Sequence, residues 1–275
     1  MTCTDPVVLN DWYPIENEFA VNESPLPLRL LGTDLLATRD TVRTADGRDL
    51  PVRHKYGFLW TSLGTPAGEI FDIAESLESD RRYVACGWIT LQASAPRLVE
   101  NFLDMAHFPF VHADILGTEA HAEVARYESE IRAEVDEVWA TNCRFFQPQV
   151  TAGTAGALAD ITYRVPSPFL VMLYRVPPQA PSRLDVIALF ITPIEPDLCR
   201  AQPVEWLVDA GSSDAQLLDF EQTIFLQDRV IVENQRPRLL DLNPKRERPT
   251  YADNSSTTYR RWLKQKGLTY GVINS

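Results

Sequence analysis

The stretch NFLDMAHFPFVH, residues 101–112, places His107 and His112 five residues apart in a chain that has only four histidines. Asp104 stands three residues before the first of them. A neutral imidazole offers one lone pair to a metal, and an acid can orient its other nitrogen, so this grouping points to metal chemistry. On one continuous helix, five residues at roughly 100° each would turn the two imidazoles apart. Pro109 lies between them and is expected to end the helix after His107, letting the chain turn back toward the same point. Asp104, at helical spacing from His107, is expected to orient or bridge to it. The plainer alternative is a pair of packing histidines in an aromatic stretch with Phe102, Phe108 and Phe110.

Two imidazoles need a third ligand. In residues 213–236, SDAQLLDFEQTIFLQDRVIVENQR, the positions Leu217, Phe220, Ile224, Asp228, Ile231 and Gln235 step by three and four and form one stripe. Asp228 is thus a carboxylate on a core-facing stripe, where an unpaired charge is costly, so it requires a cationic partner. A metal held by His107 and His112 meets that need, as does a buried arginine. Two histidines and one carboxylate leave coordination positions open, which favours a non-haem Fe(II) that binds O₂ over a closed structural zinc site. A hydrolytic zinc with the same ligands stays open.

The elements that must position these residues read as follows. Residues 26–65 are short strands punctuated by ADG and by glycines, and 65–82 form an acidic loop. YVACGWITLQAS returns to strand. Ser94 and Pro96 mark a helix start, and that helix is expected to continue through RLVENFLDMAH. Residues 127–145 alternate apolar and charged side chains around a turn near Asp136, as in an antiparallel sheet with one wet face. ALADITYRV, FLVMLYRV, LDVIALFITPI and RAQPVEWLVD are further strands with no helices between them, which makes the fold α+β. The long helix over 213–236 ends at Pro237, and a last helix at 256–266 is capped by the preceding serines and by Gly267. The glycine-rich TAGTAGA at 151–157 reads as a mobile loop. The pocket is expected between the curved sheet and the long helix, with Phe145, Phe169 and Leu173 equally well explained as core.

The chain has 275 residues, 45% hydrophobic and 23% charged, which suits a globular protein with a real core. A net charge of −12 argues against nucleic acid as a partner. No apolar run is long enough to span a bilayer and no secretory leader is visible, so a cytoplasmic location is expected. The four cysteines are scattered, with no CxxC or CxH spacing, and are expected to be reduced packing thiols.

The string Asn101-x-x-Asp104-x-x-His107-x₄-His112, with QDRVIVENQ far downstream, resembles the catalytic domain of Rieske-type non-haem iron oxygenases. The resemblance implies a helix-grip (START-like) catalytic domain over 81–275. It implies that His107, His112 and Asp228 bind a mononuclear Fe(II), and that Asp104 lies on the electron route to it. DWYP, LRLLGTDLLATRD and YGFLWTSLG resemble the first and last strands of the Rieske domain, but only TVRTADGRDL stands where the cluster subdomain belongs. Residues 1–80 are therefore expected to be a truncated Rieske-like β remnant without cluster ligands.

Within that family, the length, the missing cluster and the terminus YRRWL…GVINS most resemble methylxanthine-demethylating components. That likeness implies an O₂-dependent N-demethylase for a methylxanthine such as 7-methylxanthine, releasing formaldehyde. The [2Fe–2S] cluster would then be supplied in trans by a Rieske-bearing reductase that uses NADH. A glutathione-S-transferase-like structural subunit and trimeric packing or a hetero-complex are also implied. The rival readings are a catalytically silent scaffold subunit, an O-demethylase or hydroxylase of an aromatic substrate, and a zinc hydrolase.

Overall fold

Runs such as FLVMLY and VIALFI are apolar at every position, and the computed structural model gives the reason: both faces of their sheet are covered. Residues 2–149, 156–243 and 246–274 are described, so the loop expected at 151–157 lies almost wholly outside the described residues.

A short helix α1 (Pro6–Leu9) precedes strands β1 (Tyr13–Asn17), β2 (Leu26–Leu30), β3 (Thr33–Ala37) and β4 (Val42–Thr44). Strands β5 (Asp49–Leu50), β6 (Val52–Lys55) and β7 (Phe58–Thr61) complete this part, in two small antiparallel sheets ordered β1-β7-β6 and β2-β3-β4-β5. This agrees with the short strands read over 26–65. Strands β8 (Arg82–Ala85) and β9 (Ile89–Leu91) lead to helices α2 (Ala95–Leu103) and α3 (Phe108–Val111).

A meander follows: β10 (Glu128–Arg132), β11 (Glu137–Gln147), β12 (Ala157–Ser167), β13 (Leu170–Arg175), β14 (Asp185–Glu195) and β15 (Leu198–Leu207). Each strand pairs antiparallel with the next, and β8 and β9 both add to β15. Short connections permit only antiparallel neighbours. The first hairpin turns at Asp136, whose φ is +52°, as the alternation over 127–145 required. Val135, which the alternation places among the apolar positions, is exposed in that turn.

Helix α4 (Asp214–Asn234) starts at Ser213, whose hydroxyl accepts the Gln216 N–H in a capping box. Helix α5 (Asn254–Lys266) begins earlier than expected, with Ser255 and Ser256 inside it, and ends at left-handed Gly267. The last pairing joins β16 (Leu240–Asp241) to β17 (Val272–Ile273) in parallel.

Residue parity sorts the layers. Leu170, Met172, Val186, Ala188, Phe190, Val204 and Trp206 meet Trp12, Phe58 and Trp60 of the N-terminal strands. The alternate positions Leu173, Ile187, Leu189 and Pro203 face the helical side and line a pocket there with α4 residues. Helix α2 sits against α4, α5, β13 and β14, which brings residues 101–112 to the middle of α4. The antiparallel sheet and C-terminal helices are the α+β arrangement expected. All four cysteines are free and buried. Among the described residues, no helix is long and apolar enough to cross a membrane.

Candidate metal centre

Helix α2 stops four residues before His107, so the expectation that it runs on to Pro109 is corrected. Asp104 is its C-cap, with extended backbone, and its Oδ1 accepts the Ala106 N–H at 2.8 Å. An aspartate side chain that competes for a nearby amide favours a turn over continued helix. The same side chain reaches His107 with its other oxygen, Oδ2 lying 3.2 Å from Nδ1. The expected Asp104–His107 contact is present, but a turn makes it and helical spacing does not. Pro109 likewise starts a helix where a stop was expected, because its missing N–H is harmless in the first turn of α3. That single turn carries His112 back beside His107, ring centroids 5.0 Å apart. Gly117 closes the following loop onto the turn: a Cβ there would stand 2.7 Å from the Pro109 nitrogen.

Helix α4 presents Asp228 to the same point. His107 Nε2 lies 3.1 Å from His112 Nε2, and Asp228 Oδ1 lies 3.2 Å and 3.0 Å from these two nitrogens. Ligand atoms about 2.1 Å from an ion stand about 3.0 Å apart at octahedral right angles, and about 3.4 Å apart at tetrahedral ones. The three atoms are therefore close enough to share one ion. His112 is fully buried, while His107 and Asp228 keep a little exposure.

The outer atoms of the imidazoles are fixed as well. His112 Nδ1–H donates to Gln227 Oε1 at 2.8 Å, and His107 Nδ1–H faces Asp104. With those nitrogens as donors, both Nε2 atoms face inward beside a carboxylate oxygen, an arrangement that can hold a metal ion or a shared proton. Asn101 Nδ2 donates to Asp228 Oδ1 at 3.3 Å. Burial disfavours charge on His107, but the carboxylates of Asp104 and Asp228 outweigh it and push the imidazole up to about 9. Burial also works to raise Asp228, yet the two imidazoles hold its carboxyl down at about 2. A proton held on His107 thus offsets the charge of Asp228.

The triangle opens onto a pocket between the sheet and α4. Its walls are mainly apolar, including Phe102, Leu173, Ile187, Leu189, Phe220 and Ile224. Leu173, which sequence alone left as core, faces this space, while Phe145 and Phe169 are buried core. On the stripe of α4, Ile231 is 40% exposed, and Phe225 and Val232 are the buried neighbours. A separate outer cleft of about 640 Å³ reaches Asp104. Asn101 and His107 line both cavities and form the partition between them.

Sequence reading assigned no role to Gln227, although it adjoins Asp228 in QDRV. It also missed Gln147, Arg175 and Glu205, which line the pocket among apolar residues. The available signal was the last two: charges at core-facing positions of otherwise apolar strands.

Residues 91–268 match the vanillate O-demethylase oxygenase C-terminal domain. The chain belongs to that family, the catalytic part of Rieske-type non-haem iron oxygenases, and is an oxidoreductase; the family's chemistry uses a mononuclear non-haem iron and O₂. Over 99% of both chains it is 40% identical to the probable methylxanthine N7-demethylase NdmC of Pseudomonas sp. (strain TJI-51). The methylxanthine N1-demethylase NdmA of Pseudomonas putida is 23% identical over 77% of this chain, but only 58% of that longer protein is matched. The solved structure of Pseudomonas putida CBB5 NdmA with caffeine superposes with a TM-score of 0.74 at 19% identity, over 95% of this chain and 92% of that one. At that identity the superposition establishes the fold.

Proposed function

We propose that this protein is the oxygenase component of an oxidative N-demethylase, acting on a methylxanthine such as 7-methylxanthine. The observation that carries the reading is the convergence of His107 Nε2, His112 Nε2 and Asp228 Oδ1 at the mouth of a mainly apolar pocket. Ferrous iron held by these three residues would supply O₂-dependent hydroxylation of the substrate's methyl carbon. The balance is N–CH₃ + O₂ + 2 e⁻ + 2 H⁺ → N–CH₂OH + H₂O, after which the carbinolamine releases formaldehyde and leaves N–H. A two-histidine, one-carboxylate set with open positions, in a family whose chemistry uses non-haem iron, favours a ferrous site over hydrolytic zinc.

The chain's own residues set the conditions for that chemistry. Gln227 and Asp104 fix which imidazole nitrogens face the ion, and Asn101 steadies the carboxylate. Apolar side chains from β12 to β15 keep water from the reacting carbon. Asp104 faces the outer cleft on one side and His107 on the other, which suits electrons arriving from outside. No cysteine has the spacing of a cluster ligand, so residues 1–80 are read as a cluster-less Rieske-like β remnant and 81–275 as the iron domain. A Rieske-bearing reductase using NADH would then bring its [2Fe–2S] centre to this cleft, which Arg236, Arg248, Arg261 and Lys264 help to line. A glutathione-S-transferase-like subunit and trimeric or mixed assembly remain part of the same reading.

The deciding experiment is reconstitution with a Rieske-bearing reductase, NADH and iron, screening methylxanthines and methoxyaromatics. Formaldehyde released in proportion to O₂ consumed from a methylxanthine is the expected result. Release only from a methoxyaromatic would make it an O-demethylase, and no turnover with any reductase would make it a scaffold.

Gln227→Leu is expected to lower iron affinity about 10- to 100-fold, because His112 loses the acceptor that fixes its tautomer. Chelator competition measures this, and an unchanged affinity would remove Gln227 from the centre.

Removing the metal should also change how stability depends on pH. His107 holds its proton up to about 9 in the folded metal-free protein and to about 6.5 when unfolded. Its stabilising contribution is complete below pH 6.5 and is lost as pH rises through 9. Asp228 contributes above its ordinary 3.8, and that share is lost as pH falls through 2. Metal-free protein should therefore melt at progressively lower temperature from pH 6.5 to 9, and metal should flatten the curve. Parallel melting curves with and without metal would contradict the ligand assignment.

A further inference from the structure

Three side chains lining the inner pocket carry a polar atom that is buried and without a hydrogen-bond partner: Gln147 Oε1, Arg175 Nε and Glu205 Oε2. The residues are 3%, 7% and 4% exposed, so solvent does not satisfy these atoms. Of the fourteen such atoms among the described residues, these three line one pocket, where a bound ligand could complete them.

The sheet puts two of the three on one face, on strands β13 and β15 with β14 between them. Arg175 sits opposite Ile161 and Asp185, and Glu205 sits opposite Ile187, which in turn faces Leu173. Guanidinium and carboxyl therefore occupy neighbouring cross-strand rows on the face that looks toward α4. Arg175 reaches Asp185 through Nη2 at 3.4 Å, and Asp185 also accepts the Val208 N–H. Among the described residues no ion pair joins Arg175 to Glu205. Burial, with Glu221, Asp185 and Asp209 adding to it against the pull of Arg175, holds the Glu205 carboxyl well above the usual carboxylate range. When protonated, such a carboxyl offers an O–H donor and a carbonyl acceptor side by side.

We propose that Glu205, with Arg175 beside it, reads an unsubstituted lactam edge of the substrate: a ring N–H next to a ring C=O. The acid and the lactam exchange two hydrogen bonds, and Arg175 Nε donates to a ring carbonyl or ring nitrogen. The Gln147 amide supplies a third polar contact on the same ligand. A methyl on the lactam nitrogen removes the donor, leaves the acid's carbonyl unpaired and adds bulk against the wall. The enzyme thus selects methylated heterocycles that keep a free ring N–H and rejects fully N-methylated ones. This rests on the demethylase reading for its substrate class, but the recognition is a property of the pocket and is measurable without turnover.

The test is equilibrium binding to the iron-loaded chain, kept anaerobic, with two ligand pairs: 7-methylxanthine against caffeine, and uracil against 1,3-dimethyluracil. Each N–H ligand should bind at least about a hundredfold more tightly than its N-methylated partner, because a site built for a hydrogen bond discriminates strongly against its loss. Glu205→Leu should bring each ratio below about tenfold, and Glu205→Gln, whose amide keeps a donor and an acceptor, should restore much of it. Equal affinities within both pairs, no binding by any of the four, or a preference that survives Glu205→Leu would overturn the inference. If the N–H preference holds while no methylxanthine is demethylated, the demethylase reading fails and the lactam site stands.

Discussion

Asp228→Ala should empty the centre, with iron falling to about a tenth or less of the wild-type content after identical loading. Loss of a residue that merely supports a ligand costs about 10- to 100-fold in affinity, and loss of a ligand costs more. Asp228 is the sole anion among the three donors, so its removal leaves two neutral imidazoles facing each other across 3.1 Å. The fold should persist, since α4 is anchored by Leu217, Ile224, Phe225 and Val232. Turnover with the reductase should drop to background. Metal analysis beside circular dichroism checks both halves, and full iron content in a folded variant would show that another carboxylate serves.

Asp104→Asn should behave in the opposite way, keeping most of its iron while reductase-driven turnover falls at least about a hundredfold. The side chain is 28% exposed, open to the outer cleft, and still lies 3.2 Å from His107 Nδ1. Asparagine keeps the size and one acceptor oxygen, which can still take the His107 Nδ1–H, but removes the charge that polarises His107. If Asp104 lies on the electron route, product from one turnover of chemically reduced enzyme should survive while kcat with the reductase collapses. A purely structural role would instead lower iron content and both rates together. Undiminished turnover with the reductase would end its proposed role.

The two tests separate what the geometry joins. His107 is shared by the inner pocket and the outer cleft, so on the proposed reading substrate and electron donor would approach one residue from opposite sides. Arg175 and Glu205 line the inner pocket and not the outer cleft, and Asp104 the outer cleft and not the inner pocket. Substitutions at the first pair should change which ligand binds, and those at Asp104 how fast electrons arrive.

Much of this was legible in the sequence. Alternation and turn residues located the strands of the meander, capping and proline located α4, and periodicity singled out Asp228 as a carboxylate needing a cation. These signals are local: a two- or 3.6-residue period states which face is buried. What the sequence left undecided lies where local preferences compete. Helix spacing and an aspartate's side-chain bond to Ala106 gave opposite answers at residue 104, and the turn won because it also let α3 carry His112 back. Only the tertiary structure brought α4 within 3.2 Å of His107, joined Gln227 to His112, and left Gln147, Arg175 and Glu205 facing one pocket with atoms unpaired. Such contacts join strands and helices far apart in the chain, and their energies depend on the dielectric and geometry that folding creates, which no stretch of sequence carries by itself.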